Sequence, residues 1–125
     1  MGARIFVVED EQIIVADLQA KLKRLGHEVI GTAASGEEAI RMTESLRPEL
    51  VLMDIRIQGS MDGREAARHI QAVTGAPVIF LTAYAEVFLA DPIQMVPPGL
   101  CLSKPFSVYQ LQTVLDTVLE KRKPS

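Results

Sequence analysis

The chain predicts one α/β domain in which short buried strands alternate with amphipathic helices around a parallel sheet. Three observations carry this expectation. Brief apolar runs recur without interleaved polar residues, the segments between them carry apolar residues at helical spacing, and cap residues stand where one pattern gives way to the other. A strand covered on both faces reads as a continuous apolar run. Strand–helix alternation gives right-handed crossovers, a parallel sheet and helices on both of its faces.

The first strand is Ile5-Phe6-Val7-Val8. From Glu11 the period changes, placing Ile14, Leu18, Leu22 and Leu25 on one helical face until Gly26 stops the helix. A second strand is expected from Glu28 to Ala34. Ser35 followed by Glu38 is a capping box, with Ala39, Met42 and Leu46 as the buried stripe and Pro48 as the terminator. Leu50-Val51-Leu52-Met53 forms a third strand ending at Asp54. Asp62 caps the next helix, whose inward face is Ala66, Ile70 and Val73, and Gly75 and Pro77 end it. Val78-Ile79-Phe80-Leu81 is the fourth strand. Residues Tyr84 to Pro98 are apolar enough for a helix, but Pro92, Pro97 and Pro98 interrupt it. Asp91 as cap and Pro92 as first helical residue allow a short helix there, so the fourth helix is expected to be irregular or shortened. A fifth strand covers Gly99 to Ser103. Ser107 and Gln110 cap a last helix that turns Leu111, Val114, Leu115, Val118 and Leu119 inward, with Lys121, Arg122 and Lys123 at its negative end.

Composition narrows the function. With 125 residues, 48% of them apolar, the chain has the size and content of one globular domain spanning 1–125. A formal charge of −3 argues against binding nucleic acid or an anionic membrane through net charge. Cys101 is the single cysteine, so no intrachain disulfide can form and a reducing compartment is expected. No apolar run approaches the ~20 residues of a membrane span, and Met1-Gly2-Ala3-Arg4 lacks a signal-peptide core. A cytoplasmic location is the resulting expectation. His27 and His69 are expected at the surface, away from any site.

In open parallel sheets ligands bind beyond the carboxyl ends of the strands. Those ends carry Glu9, Asp10 and Glu11 after the first strand, Asp54 after the third, Thr82 after the fourth and Lys104 after the fifth. Carboxylates gathered at one edge repel one another, and burial raises their pKa values unless a cation joins them. Hard oxygen ligands suit Mg²⁺. Lys104 adds a fixed positive charge and Thr82 a hydroxyl. Together they make a place for an oxyanion beside a carboxylate nucleophile, which fits phosphoryl transfer, a reaction catalysed largely by positioning and charge neutralisation.

Five motifs in order, Val7-Val8-Glu9-Asp10-Glu11, Leu52-Met53-Asp54, Met61-Asp62-Gly63, Leu81-Thr82-Ala83 and Ser103-Lys104-Pro105-Phe106, resemble the CheY-like receiver domains of bacterial two-component response regulators across essentially the whole chain. The resemblance implies a doubly wound, flavodoxin-like sheet of five parallel strands in the order 2-1-3-4-5. It implies that Asp54 accepts a phosphoryl group from a phosphohistidine on a sensor histidine kinase or phosphotransfer protein, with Mg²⁺ as cofactor. Asp10 would hold the metal directly, Glu9 would assist through water, and the backbone carbonyl of Arg56 would be a further ligand. Thr82 would hydrogen-bond one phosphoryl oxygen and Lys104 would pair with another. A cis Lys104–Pro105 peptide bond is expected, and the activity would be that of a switch rather than a conventional enzyme.

Three features depart from the family pattern. Cys101 stands where an aromatic switch residue is usual, leaving Tyr84 or Phe88 as substitutes. The prolines at 92, 97 and 98 disrupt the helix many members use for output, and the loop Ile55 to Met61 is one residue longer than the commonest form. These departures motivate an alternative: a phosphate-independent pseudo-receiver that acts as an interaction module with a remodelled output face. A phosphatase with an aspartyl-phosphate intermediate ranks last, because Arg56 occupies the place of its general acid.

Overall fold

A computed structural model describes residues 2–55, 57, 59, 61–82, 93–96 and 99–122, with the side chains of 93–96, 99, 121 and 122 set aside. Expectations resting on Arg56, Ala83, Tyr84, Phe88, Asp91, Pro92, Pro97, Pro98 and Lys123 lie outside the described residues. The elements follow the chain as β1 (Arg4–Val8), α1 (Gln12–Arg24), β2 (Glu28–Ala33), α2 (Gly36–Leu46) and β3 (Leu50–Asp54). After these come α3 (Gly63–Thr74), β4 (Val78–Thr82), β5 (Ile93–Val96), β6 (Gly99–Ser103) and α4 (Val108–Arg122).

Five strands, β2-β1-β3-β4-β6, pair in parallel in the order expected for the doubly wound fold. Successive strand side chains point to opposite faces, and this alternation sorts the core into two halves. Phe6, Val8, Val51, Met53, Phe80 and Cys101 meet Ala39 of α2 and Ala66, Ala67 and Ile70 of α3. Ile5, Val7, Leu50, Leu52, Ile79, Leu81 and Leu102 meet Leu18 and Leu22 of α1 and Leu111, Val114 and Leu115 of α4. Burying each large side chain contributes about 1.5–3 kcal/mol. That doubled core holds the strand ends in fixed register.

The helix starts follow their expected caps. Ser35 Oγ accepts the Glu38 N–H at 3.2 Å, and Glu38 Oε1 accepts the Ala34 N–H at 3.0 Å. Asp62 Oδ1 accepts the Glu65 N–H at 2.9 Å, and Ser107 and Gln110 bond reciprocally at 3.1 and 2.9 Å.

Three expectations need correction. Residues 93–96 do not continue a helix from Pro92; they form β5, which pairs antiparallel with β6 in the register Ile93↔Leu102 to Val96↔Gly99. The prolines exclude a regular helix, and the free side of β6 supplies the hydrogen bonds such a segment needs. The sheet therefore has a sixth, antiparallel strand added to the expected five. Val73, placed on the inward stripe of α3 with Ala66 and Ile70, is instead 45% exposed in the last turn of α3, where helical periodicity gives the direction of a side chain but not the extent of the core. The buried α3 residues are Gly63, Ala66, Ala67 and Ile70. His27 is half-buried rather than superficial: its Nδ1 accepts the Ala3 N–H at 2.9 Å, and burial lowers its pKa.

Candidate functional site

The parallel register places the ends of β1, β3, β4 and β6 along one edge. Val8 lies opposite Met53, Asp54 opposite Leu81, and Thr82 opposite Ser103. Backbone hydrogen bonds extend this alignment past the strands: the Glu9 N–H donates to Ala33 O at 2.9 Å, Ile55 N–H to Leu81 O at 3.2 Å and Lys104 N–H to Thr82 O. Glu9, Asp54, Thr82 and Lys104 are thereby fixed by the sheet itself.

Their side chains converge. One carboxylate oxygen from each of Glu9, Asp10 and Asp54 lies within 4.8 Å of the others, with Glu9 and Asp54 buried and Asp10 half-buried. Lys104 Nζ reaches into the cluster, 2.9 Å from Asp54 Oδ2 and 3.1 Å from Glu9 Oε2. Glu9 Oε1 turns the other way and accepts the Glu11 N–H at 3.1 Å, which sets the carboxylate plane. The peptide bond after Lys104 is cis, as expected. Gly63 lets α3 begin against the end of β3: its N–H donates to Ile55 O at 3.1 Å, and a methyl there would lie 2.7 Å from Asp54 O.

The electrostatics follow from burial and crowding. Burial pushes the Glu9 carboxyl up to about 7, and the hydrogen bond and negative charge of Asp54 push the same way against the opposing Glu11 N–H and Lys104. Burial works to lower the Lys104 pKa, but the hydrogen bonds and charges of Asp54 and then Glu9 outweigh it, so the ammonium is held above its usual value. Among the described residues, the Lys104 ammonium thus pairs with two of the three clustered carboxyl groups. The donor set, all hard oxygen with a surplus of negative charge, fits a small divalent cation.

Of the residues singled out in the sequence, Glu9, Asp10, Asp54 and Lys104 come together, and Thr82 ends the neighbouring strand, 9% exposed. Arg56 lies outside the described residues. Cys101 is fully buried on the α2–α3 side, and burial pushes its thiol up to about 11, so it behaves as a small apolar residue. The bond from Glu11 to Glu9 and the packing of Gly63 on Asp54 escape sequence reasoning, although Gly63 stood in one of the matched motifs. No helix among the described residues is long and apolar enough to cross a membrane.

Residues 5–116 match the model of the response regulator receiver domain. The chain is 37% identical over 120 residues to the phyllosphere-induced regulator PhyR of Methylorubrum extorquens, covering 95% of this chain and 44% of that protein. It spans about half the length of the curated relatives it matches. Among solved structures it superposes with a TM-score of 0.82 on the signal receiver domain of a modulated diguanylate cyclase from Desulfovibrio desulfuricans G20, at 30% identity and covering 97% and 96% of the two chains. The receiver domain of the sensor histidine kinase PA1611 from Pseudomonas aeruginosa, with a magnesium ion coordinated in its active-site cleft, matches at a TM-score of 0.79 and 32% identity over 96% and 99% of the chains.

Proposed function

The chain belongs to the response regulator receiver family, and from that premise we propose that Asp54 is a phosphoacceptor charged by a histidine kinase or phosphotransfer protein. The observation that carries this reading is the convergence of Glu9, Asp10 and Asp54 within 4.8 Å around an ammonium group 2.9 Å from Asp54 Oδ2. In the transfer, a carboxylate oxygen of Asp54 attacks phosphorus; the O–P bond forms as the P–N bond of phosphohistidine breaks, and the electron pair leaves on the imidazole nitrogen. Lys104 pairs with one phosphoryl oxygen and the Thr82 hydroxyl donates to another. Glu9, Asp10, Asp54 and the backbone carbonyl of Arg56 would hold Mg²⁺, which supplies neutralisation of the charge on the phosphoryl oxygens. The related PA1611 receiver, with its coordinated magnesium, supports that assignment.

The modification adds roughly −1.5 to −2 charges and three strong acceptors at the end of β3. The Thr82 hydroxyl is drawn toward those acceptors, changing the surface beside β4 and β6. A coupling of ~1–3 kcal/mol between modification and partner affinity changes binding about 5- to 150-fold. The product is a signal rather than a metabolite.

The deciding experiment is incubation with a cognate kinase, or with a small phosphodonor and Mg²⁺. The native chain should gain an acid-stable, base-labile adduct and Asp54→Asn should not. Labelling that persists in Asp54→Asn would sink the assignment. One observation favours a second reading, that of a phosphate-independent interaction module: the antiparallel β5 takes residues 93–96 of the segment in which the output helix was expected. Partner affinity measured with and without an acyl-phosphate mimic separates the two, and identical values would favour the module.

A further inference from the structure

We infer that Lys21 of α1 is a positioning residue for Lys104, bracing the short connection that carries Lys104 from β6 into α4. This deepens the functional reading above and rests on it, since that reading makes Lys104 the partner of a phosphoryl oxygen. The connection, residues 104–107, is fixed at both ends. Lys104 N–H donates to Thr82 O at 2.6 Å, and Ser107 is locked to Gln110 by the reciprocal bonds that start α4. Between those ends stands Phe106, partly buried against the half of the core that α1 and α4 cover. Its backbone carbonyl accepts a hydrogen bond from Lys21 Nζ at 3.3 Å, and the same ammonium stands 5.0 Å from the centroid of its ring.

A lysine with no task on a helix surface extends its ammonium into water. The Lys21 side chain is instead only 24% exposed, and Asp17 Oδ2, one turn earlier on α1, accepts from its Nζ at 2.7 Å. Carboxylate, carbonyl and ring face together hold the ammonium in one place, with cation–π attraction adding to the two polar bonds. An i,i+4 pair alone adds little to stability; this one reaches across 85 residues to the backbone two places beyond Lys104. Its base is rigid, because Val15, Leu18 and Leu22 bury the inner face of α1. Lys104 meets Asp54 and Glu9 at the tip of a long, flexible side chain, so its aim depends on where its backbone sits. Lys21 fixes that backbone from the α1 side, as the sheet fixes it from the other.

The test uses the whole chain, with Mg²⁺ and a small phosphodonor as probes. The Lys104 ammonium competes with a divalent cation for the carboxylates of Asp54 and Glu9. Loosening it should therefore tighten Mg²⁺ binding while slowing the labelling of Asp54, whereas a merely structural loss weakens both. Isothermal titration should show Lys21→Met binding Mg²⁺ about 2- to 5-fold more tightly than the native chain, the lower range of coupling between residues that share a backbone segment. Its labelling should be about 3- to 10-fold slower, since a misplacement of ~1 Å can cost far more. In a Lys104→Met background, Lys21→Met should change neither value further, although a through-space effect of the Lys21 charge would persist there. Phe106→Leu, which alters no charge, should move both values in the same directions and by less, because the carbonyl remains. Native values in both Lys21→Met and Phe106→Leu, weaker Mg²⁺ binding in Lys21→Met, or the same shift with and without Lys104 would overturn the inference alone. Failure of the native chain to bind Mg²⁺ or to label at Asp54 would overturn the functional reading and this inference with it.

Discussion

Glu9 makes the stability of the metal-free protein depend on pH in an unusual direction. Its carboxyl titrates near 7 in the fold instead of at 4.5, raised first by burial and then by the hydrogen bond and charge of Asp54. An acid whose folded pKa is raised contributes stability that is fully present below the unfolded value and is lost as pH rises through the folded value. The shift from 4.5 to about 7 corresponds to roughly 3 kcal/mol at 1.36 kcal/mol per unit. With a urea slope of ~2 kcal/mol/M, the midpoint in EDTA should fall by about 1.5 M between pH 4.5 and pH 8. His27 acts oppositely in part of this window: burial lowers its pKa, so its contribution grows as pH rises. Comparison with Glu9→Gln isolates Glu9, because His27 and every other group are common to both chains. The assay is urea denaturation followed by circular dichroism at several pH values, with EDTA and with Mg²⁺. The native-minus-variant difference should decline with pH in EDTA, and Mg²⁺ should restore stability at pH 8. A difference that does not vary with pH would refute the account of the site as a crowded, under-neutralised carboxylate cluster.

Other perturbations have equally definite outcomes. Lys104→Met removes the ammonium shared by Asp54 and Glu9, and should destabilise the protein in EDTA by roughly 3 kcal/mol at pH 8 and by less at pH 5, where Glu9 takes up a proton; denaturation at both pH values checks it. Gly63→Ala places a methyl 2.7 Å from Asp54 O and 2.9 Å from Ile55 Cα, both backbone atoms that cannot swing aside, so it should lower the thermal midpoint and impair phosphorylation together. Ser35→Ala removes the hydroxyl that accepts the Glu38 N–H and should cost about 1 kcal/mol, read by denaturation, with Mg²⁺ affinity nearly unchanged.

Much of the fold was legible because its signals are local. The continuous apolar runs at Ile5–Val8, Leu50–Met53 and Val78–Leu81 announce strands covered on both faces, and the pairs Ser35–Glu38, Asp62–Glu65 and Ser107–Gln110 mark helix starts that the structure reproduces bond for bond. The site was legible for a topological reason: if the sheet is parallel, residues that follow the strands must share an edge. Residues 93–96 were not legible. Three apolar residues and Gln94 between prolines satisfy helix and strand patterns alike, and what decides between them is the unpaired side of β6, which a local reading does not contain. Val73 was misplaced for a related reason, since helical periodicity gives the direction of a side chain but not where the core ends.

By itself the order of residues determined the element types, their caps, the two-sided core and the family of chemistry, because each of these rests on patterns within a few residues or on the edge rule of a parallel sheet. Tertiary structure alone decided which groups touch. Lys104 bonds to Asp54 and Glu9 across 50 and 95 residues of chain, Gly59 abuts the Glu37 carboxylate, and β5 pairs antiparallel with β6. The physical reason is that helix and strand propensities are set by neighbours in sequence, whereas the charge state of Glu9 and the pairing of an edge strand depend on neighbours that only the folded core delivers.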